Sequence, residues 1–374
     1  MRFRRAGSLV AVVLGVTAFA ALTVHCNVWT SLSNCDIDAD CTSSFRCDLS
    51  VNRCVPRATP TDAAAPDVAT DAPSSDAADS GPACDTLPWG KPKLVRGLET
   101  TQIVGGRLSP DELSMVLTLS DAIGTNSTLS TASRSSLTDP FHVDGPIPVV
   151  NAKGTSAFWP TMSADGLLLF FESNRSKDLN DAGGHDTGGI RIWTASRVSK
   201  LGDFSEPRLQ SLFDVAVSDT VSETAPYVHP SGRSLYFASS GRDTHGLLDL
   251  YVASIGSLGT VTSISNIEGV NTTTAENAPV VTMDERSLYF GRYQGEVTRV
   301  KIFVSHRAST SNAFGAGTRV DALNSGDDAD DYPSWVSPDH CRIYIASTRL
   351  DEGVTPDSGA PHLFRVWVAE RERP

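Results

Sequence analysis

One stretch of this chain recurs at a fixed interval. PYVHPSGRSLYF, Pro226 to Phe237, returns without a gap as PVVTMDERSLYF, Pro279 to Phe290, 53 residues on. Looser copies are PTMSADGLLLFF from Pro160 and PSWVSPDHCRIYI from Pro333, the latter with one extra residue, and a fifth, LSPDELSMVL, begins at Leu108. A period of this size points to a repeat architecture, in which each copy is a supersecondary unit that buries its apolar face only against neighbouring copies.

The local chemistry of each copy is that of strands. A proline-led segment comes first, then a turn such as Asp165-Gly166 or Ser231-Gly232, residues that suit a hairpin. The next segment is apolar on successive residues, as in Leu235-Tyr236-Phe237 and Leu168-Leu169-Phe170-Phe171, which is the pattern of a strand covered on both faces. A third segment follows as IRIWTASR (190–197), LDLYVAS (248–254), VKIFVSHR (300–307) and FRVWVAER (364–371), with TLSTASR in the first copy. Its alternation has the period of a strand. Between copies lies an aromatic-led strand: WGKPKLVRGL from Trp89, FHVDGPIPVV from Phe141, FSEPRLQSLF from Phe204 and FGAGTRVDAL from Phe314, with LGTVTSISNI from Leu258 as a poorer version.

A four-stranded unit repeated every 53 to 66 residues resembles a β-propeller blade. The proline, the Ser-Pro-Asp-Gly-like turn, the Leu-Tyr-Phe strand, Ser173-Asn174-Arg175 and Ser347-Thr348-Arg349, and Leu248-Asp249-Leu250-Tyr251 are similar to the TolB-type propeller repeat of bacterial envelope proteins. The resemblance covers residues 86–372 and implies an all-β fold. Counting copies gives five blades, with six as the alternative if one blade has lost its signature. The strand near Lys93-Leu94-Val95 is expected to complete the blade whose other strands come last.

The segments before the propeller are of three kinds. Residues 1–25 read as a signal segment, with Arg2, Arg4 and Arg5 ahead of an apolar run from Leu9 to Val24. Cys26 follows directly and resembles the lipidated cysteine of a bacterial lipoprotein, although His25 departs from the small residue that such signals carry. Cleavage after Ala18-Phe19-Ala20 and a retained anchor are the alternatives. Residues 26–56 hold Cys35, Cys41, Cys47 and Cys54. Their spacing suits a small disulfide module better than zinc, and resembles Cys-rich modules on secreted proteins of predatory soil bacteria. Pairing of the first with the third and the second with the fourth is the expectation. Residues 57–84 are mostly Ala, Asp, Pro and Ser, a disordered acidic linker by composition. The propeller takes residues 85–374. Of seven cysteines, Cys84 and Cys341 remain, near the two ends of the ring, and are expected to bridge; a buried free thiol at Cys341 is the alternative.

The chain carries a formal charge of −13, falling to −16 without its first 25 residues. That excess disfavours nucleic acid, which wants a basic face, and anionic lipid equally. A monomer is expected, with membrane contact only through an N-terminal lipid.

Candidate chemistry lies just ahead of the proline-led strands. Glu223, Glu276 and Asp330 (with Asp331 beside it) stand three residues before the aligned proline, whereas Ile103 and Ala157 occupy that place in the other copies. A ring of carboxylates suits a cation, a polar ligand or the acid and base of a glycosidase; the plainer reading is strand-end carboxylates that cap backbone N–H groups. Arg175, Arg242 and Arg349 read as ion-pair partners between blades. The inserted loop from Lys177 to Gly189, with Asp178, Asp181, His185 and Asp186, offers Ca²⁺ ligands or is a solvated loop. No nucleophile elbow, phosphate loop or His-Glu-x-x-His occurs. Two functions follow as expectations: a non-enzymatic envelope or surface protein, periplasmic, outer-membrane or secreted, that presents a propeller face to a protein or polysaccharide; or a secreted carbohydrate-active enzyme using channel carboxylates.

Overall fold

The computed structural model describes residues 84–99, 102–120, 127–151, 155–175, 189–213, 221–242, 245–294, 297–326, 328–350 and 363–372, with the backbone of 45–48 and 53–56. The chain divides into two compact units, 1–73 and 74–374. In the first, β1 (Phe45–Asp48) and β2 (Arg53–Pro56) form an antiparallel hairpin that sets Cys47 opposite Cys54. Cys26, Cys35 and Cys41 lie outside the described residues, as do the signal segment and the linker.

The second unit is a five-bladed β-propeller. Blade I is β4 (Ile103–Leu108), β5 (Ser114–Ser120), β6 (Ser127–Ser133) and β7 (His142–Pro146). Blade II is β8 (Ala157–Met162), β9 (Leu168–Ser173), β10 (Arg191–Ser196) and β11 (Arg208–Leu209). Blade III is β12 (Glu223–Val228), β13 (Ser234–Ser239), β14 (Asp249–Ile255) and β15 (Val261–Asn266). Blade IV is β16 (Glu276–Val281), β17 (Ser287–Gln294), β18 (Val297–His306) and β19 (Thr318–Arg319). Blade V is β20 (Asp331–Val336), β21 (Arg342–Ser347) and β22 (Arg365–Glu370), completed by β3 (Lys93–Leu94) from the other end of the chain. The aromatic-led strand therefore closes the blade before it. The sequence unit and the blade are out of phase by one strand, and that offset locks the ring shut and removes its free edges.

Packing explains the repeat's signature. In the second strand of blade II, Phe171 enters the cluster shared with blade I, while Phe170 enters the cluster shared with blade III. Successive apolar residues are needed because both faces are covered. The turns between first and second strands are five residues each, for example 109–113 and 282–286. Asp111, Asp165, Asp284 and Asp339 accept the backbone N–H two residues on, at 3.0–3.1 Å, the self-capping that makes Asp a turn residue.

The leading aromatic also has a cause. Each sits beneath an arginine that ends a third strand: Arg134 over Phe141 at 4.5 Å, Arg197 over Phe204 at 4.6 Å, Arg307 over Phe314 at 4.4 Å and Arg371 over Trp89 at 3.7 Å. Blade III carries Ile255 in the arginine's place and Leu258 in the poor aromatic copy. Both halves of the cation–π pair are lost together.

A disulfide joins Cys84 to Cys341, with Cα atoms 5.0 Å apart and a sequence separation of 257. Glu112 fastens blade I to blade V, accepting from Arg342 Nε at 2.9 Å and Tyr344 Oη at 2.8 Å.

Candidate functional site

Glu223 and Glu276 open the innermost strands of blades III and IV. The residue that opens blade V is Asp331, not Asp330: Asp331 lies opposite Ser347 as Glu223 lies opposite Ser239. The proline alignment slips here by one. Pro333 comes one position early in blade V, and Ser334 stands where Pro226 and Pro279 stand in their blades.

Each of these carboxylates is held by an arginine from the end of the second strand in its own blade. Arg242 Nε reaches Glu223 Oε1 at 2.8 Å, Arg292 Nε reaches Glu276 Oε1 at 2.8 Å, and Arg349 Nη2 reaches Asp331 Oδ1 at 2.6 Å. The same guanidinium groups donate to the carbonyls of Leu212, Val270 and Leu323 in the segments linking consecutive blades. The carboxylate and arginine thus fasten the end of one blade to the start of the next. In blade II, Ala157 supplies no carboxylate, and Arg175 uses Ser173 Oγ and the Val150 carbonyl instead.

Glu223, Glu276 and Asp331 share a level of the ring but not a pocket. They are 2%, 0% and 0% exposed, and no hydrogen bond or ion pair among the described residues joins one to another. Burial lifts Glu223 to about 7 against the pull of Arg242. Burial also opposes ionisation of Asp331, but Arg349, Ser347 and Lys301 outweigh it and hold that carboxyl below its ordinary range. Asp330 is different. It is partly exposed, pairs with Arg299 at 3.1 Å and accepts the Val300 N–H at 2.9 Å. A further acid, Glu172, lies in the interface between blades II and III, where it accepts the Ala225 N–H at 2.6 Å and burial raises it to about 7. Its place in the repeat is held by Ala238, Gly291 and Ala346 in three other blades, so its oddity is visible in the aligned copies.

The channel is stoppered. Arg107 of blade I donates to the Ser334 carbonyl of blade V, and its guanidinium carbon lies 5.7 Å from the Trp159 ring of blade II and 5.2 Å from the Tyr227 ring of blade III. Blades I and III are not neighbours, so the contact with Tyr227 crosses the channel. Above it, Trp159 meets Tyr332 of blade V edge-on at 5.5 Å, and Tyr332 meets Phe364 at 5.8 Å. Gly105 (φ 78°) allows this: a Cβ there would come within 2.6 Å of the Trp159 ring. Trp159, Tyr332 and Phe364 are half-buried, and the exposed Tyr293 lies against Tyr332. This aromatic end is also where connections vary. Second and third strands are joined by 2 to 17 residues there, whereas first and second strands are joined by a constant five at the opposite end.

Asp178, Asp181, His185 and Asp186 lie outside the described residues. Among the described residues no three His, Cys, Asp or Glu side chains group to hold a metal ion. No helix among them is long and apolar enough to cross a membrane.

No protein-family model matches the chain, and no curated protein matches it. Solved structures that are similar include TolB from Acinetobacter baumannii (12% identity, 73% of this chain and 56% of that one, TM-score 0.39). Others are an α-L-arabinofuranosidase from Lactobacillus brevis (11%, 74% and 94%, TM-score 0.47) and one from Podospora anserina (10%, 77% and 98%, TM-score 0.43). The chain spans little more than half of that TolB.

Proposed function

We propose that the chain is an exported, non-enzymatic binding protein of the cell envelope, tethered through Cys26, whose aromatic channel end docks a polysaccharide. The observation that carries this reading is the stoppered channel: Arg107, Trp159, Tyr227 and Tyr332 meet across it, filling the space that channel carboxylates would need to reach a substrate. The strand-opening carboxylates support it further, because Glu276 and Asp331 each already carry an arginine at hydrogen-bond distance. A general acid or nucleophile must instead reach a substrate atom. The half-buried Trp159, Tyr332 and Phe364 offer the flat apolar surfaces on which sugar rings stack.

Purified envelope polysaccharides titrated by calorimetry test the idea, with Tyr332→Ala and Phe364→Ala expected to weaken binding about tenfold or more. Turnover of an aryl arabinoside or xyloside that disappears in Glu276→Gln would overturn it. Intact mass of the mature N-terminus decides the anchor at Cys26.

A further inference from the structure

At the opposite end of the channel, among the constant five-residue turns, lies a small cavity of about 10 Å³ lined by Arg107, Leu108, Thr161, Tyr227 and Trp335 among others. That is room for the centre of a single water-sized guest. Arg107 is the one charged residue lining it.

Arg107 is 3% exposed. Its Nη1 donates to the Ser334 carbonyl, while Nε and Nη2 have no hydrogen-bond partner. No ion pair among the described residues includes it, and burial lowers it to about 10. Another fully buried cation shows the contrast. Lys301, 1% exposed, has Asp331 at 3.0 Å and the carbonyls of Ser325, Gly326 and Ala329 around its ammonium. Buried charges are paired or find another ion, because an isolated one gives up hydration with nothing in return. Arg107 has one carbonyl and two aromatic faces, and no anion.

We propose that this cavity takes one small inorganic anion of the halide class, chloride in practice, beside Arg107. The guest neutralises the guanidinium that blocks the channel. Thr161 adds a second donor: its Oγ1 already accepts the Val228 N–H at 3.1 Å, which leaves the hydroxyl hydrogen to offer. Room for the centre of only one water-sized sphere favours a monatomic anion over phosphate, sulfate or a carboxylate. The inference shares Arg107 with the stopper but does not depend on what the aromatic end binds.

Thermal unfolding of the full chain in sodium chloride, compared with sodium gluconate at equal ionic strength, tests the proposal. The expected result is a saturable rise in Tm of a few degrees in chloride, absent in Arg107→Met. Crystals soaked in sodium bromide should show an anomalous peak beside the guanidinium. If Arg107→Met does not fold, the bromide map and the wild-type salt comparison still decide. Equal Tm in both salts, with no bromide peak and only water in the cavity, overturns the proposal.

Discussion

Replacing Glu172 by Gln tests how the blade II–blade III interface carries a buried acid. Glu172 is 5% exposed and its carboxylate accepts the Ala225 N–H, while burial lifts its pKa from 4.5 to about 7. The folded state therefore binds a proton more tightly than the unfolded state. Its contribution to stability is fully present below about pH 4.5 and is lost as pH rises through about 7. A shift of about 2.5 units at ~1.4 kcal/mol per unit corresponds to about 3 kcal/mol lost by pH 8. The Gln variant keeps an acceptor for the Ala225 N–H and removes the charge. It should be the more stable protein at pH 8 by about 2–3 kcal/mol, or roughly 5 °C in Tm for a domain of this size. The gain should shrink toward zero by pH 4.5. Calorimetry or urea unfolding of both proteins from pH 4.5 to 8.5 measures the difference, in which the other titrating groups cancel. Parallel profiles, or a Gln variant weaker at pH 8, would refute the account.

Asp331 and Asp330 should separate cleanly. Asp331→Asn leaves Lys301 and Arg349 buried without their charge partner and should cost about 3–5 kcal/mol in urea unfolding. Asp330→Asn breaks only a partly exposed pair with Arg299 and should cost less than about 1 kcal/mol. Removing the ring-closing disulfide with Cys84→Ser and Cys341→Ser should cost about 3–5 kcal/mol, because the bond spans 257 residues and long loops restrict the unfolded chain most; an unchanged urea midpoint would contradict this. Glu112→Ala should cost about 2–3 kcal/mol by leaving the buried Tyr344 hydroxyl without its acceptor and Arg342 with only Asp339 at 3.4 Å. A denaturation curve with that loss, but with the same slope, would place the damage at the blade I–blade V seam and not in the denatured state.

Much of this molecule was legible as a line of letters. The tandem copies, the alternation of the third strand and the doubly apolar second strand prescribe four-stranded sheets, because side-chain periodicity is a local property of the backbone. The coupled loss of arginine and aromatic at Ile255 and Leu258 was likewise visible, although its cause, one stacked contact, was not. Five copies set five blades, and the spare strand at Lys93-Leu94 already implied a ring closed by both ends of the chain.

The site was less legible. A proline served as the ruler for blade V and slipped by one residue, so the acid at the strand start was read as Asp330 when the pairing register makes it Asp331. Spacing shows which carboxylates share a level of the ring. It cannot show that Arg242, Arg292 and Arg349 bend back to claim them, since those contacts depend on where the second strand ends in space. The stopper is of the same kind: Arg107 with Tyr227, and Trp159 with Tyr332, join inner strands from blades that are not adjacent, and these contacts exist only once the ring has closed. Local periodicity is set by covalent geometry and burial, and survives in the sequence; which charges meet, and whether the channel is open, is settled by distances between residues far apart in the chain, which only the folded ring brings together.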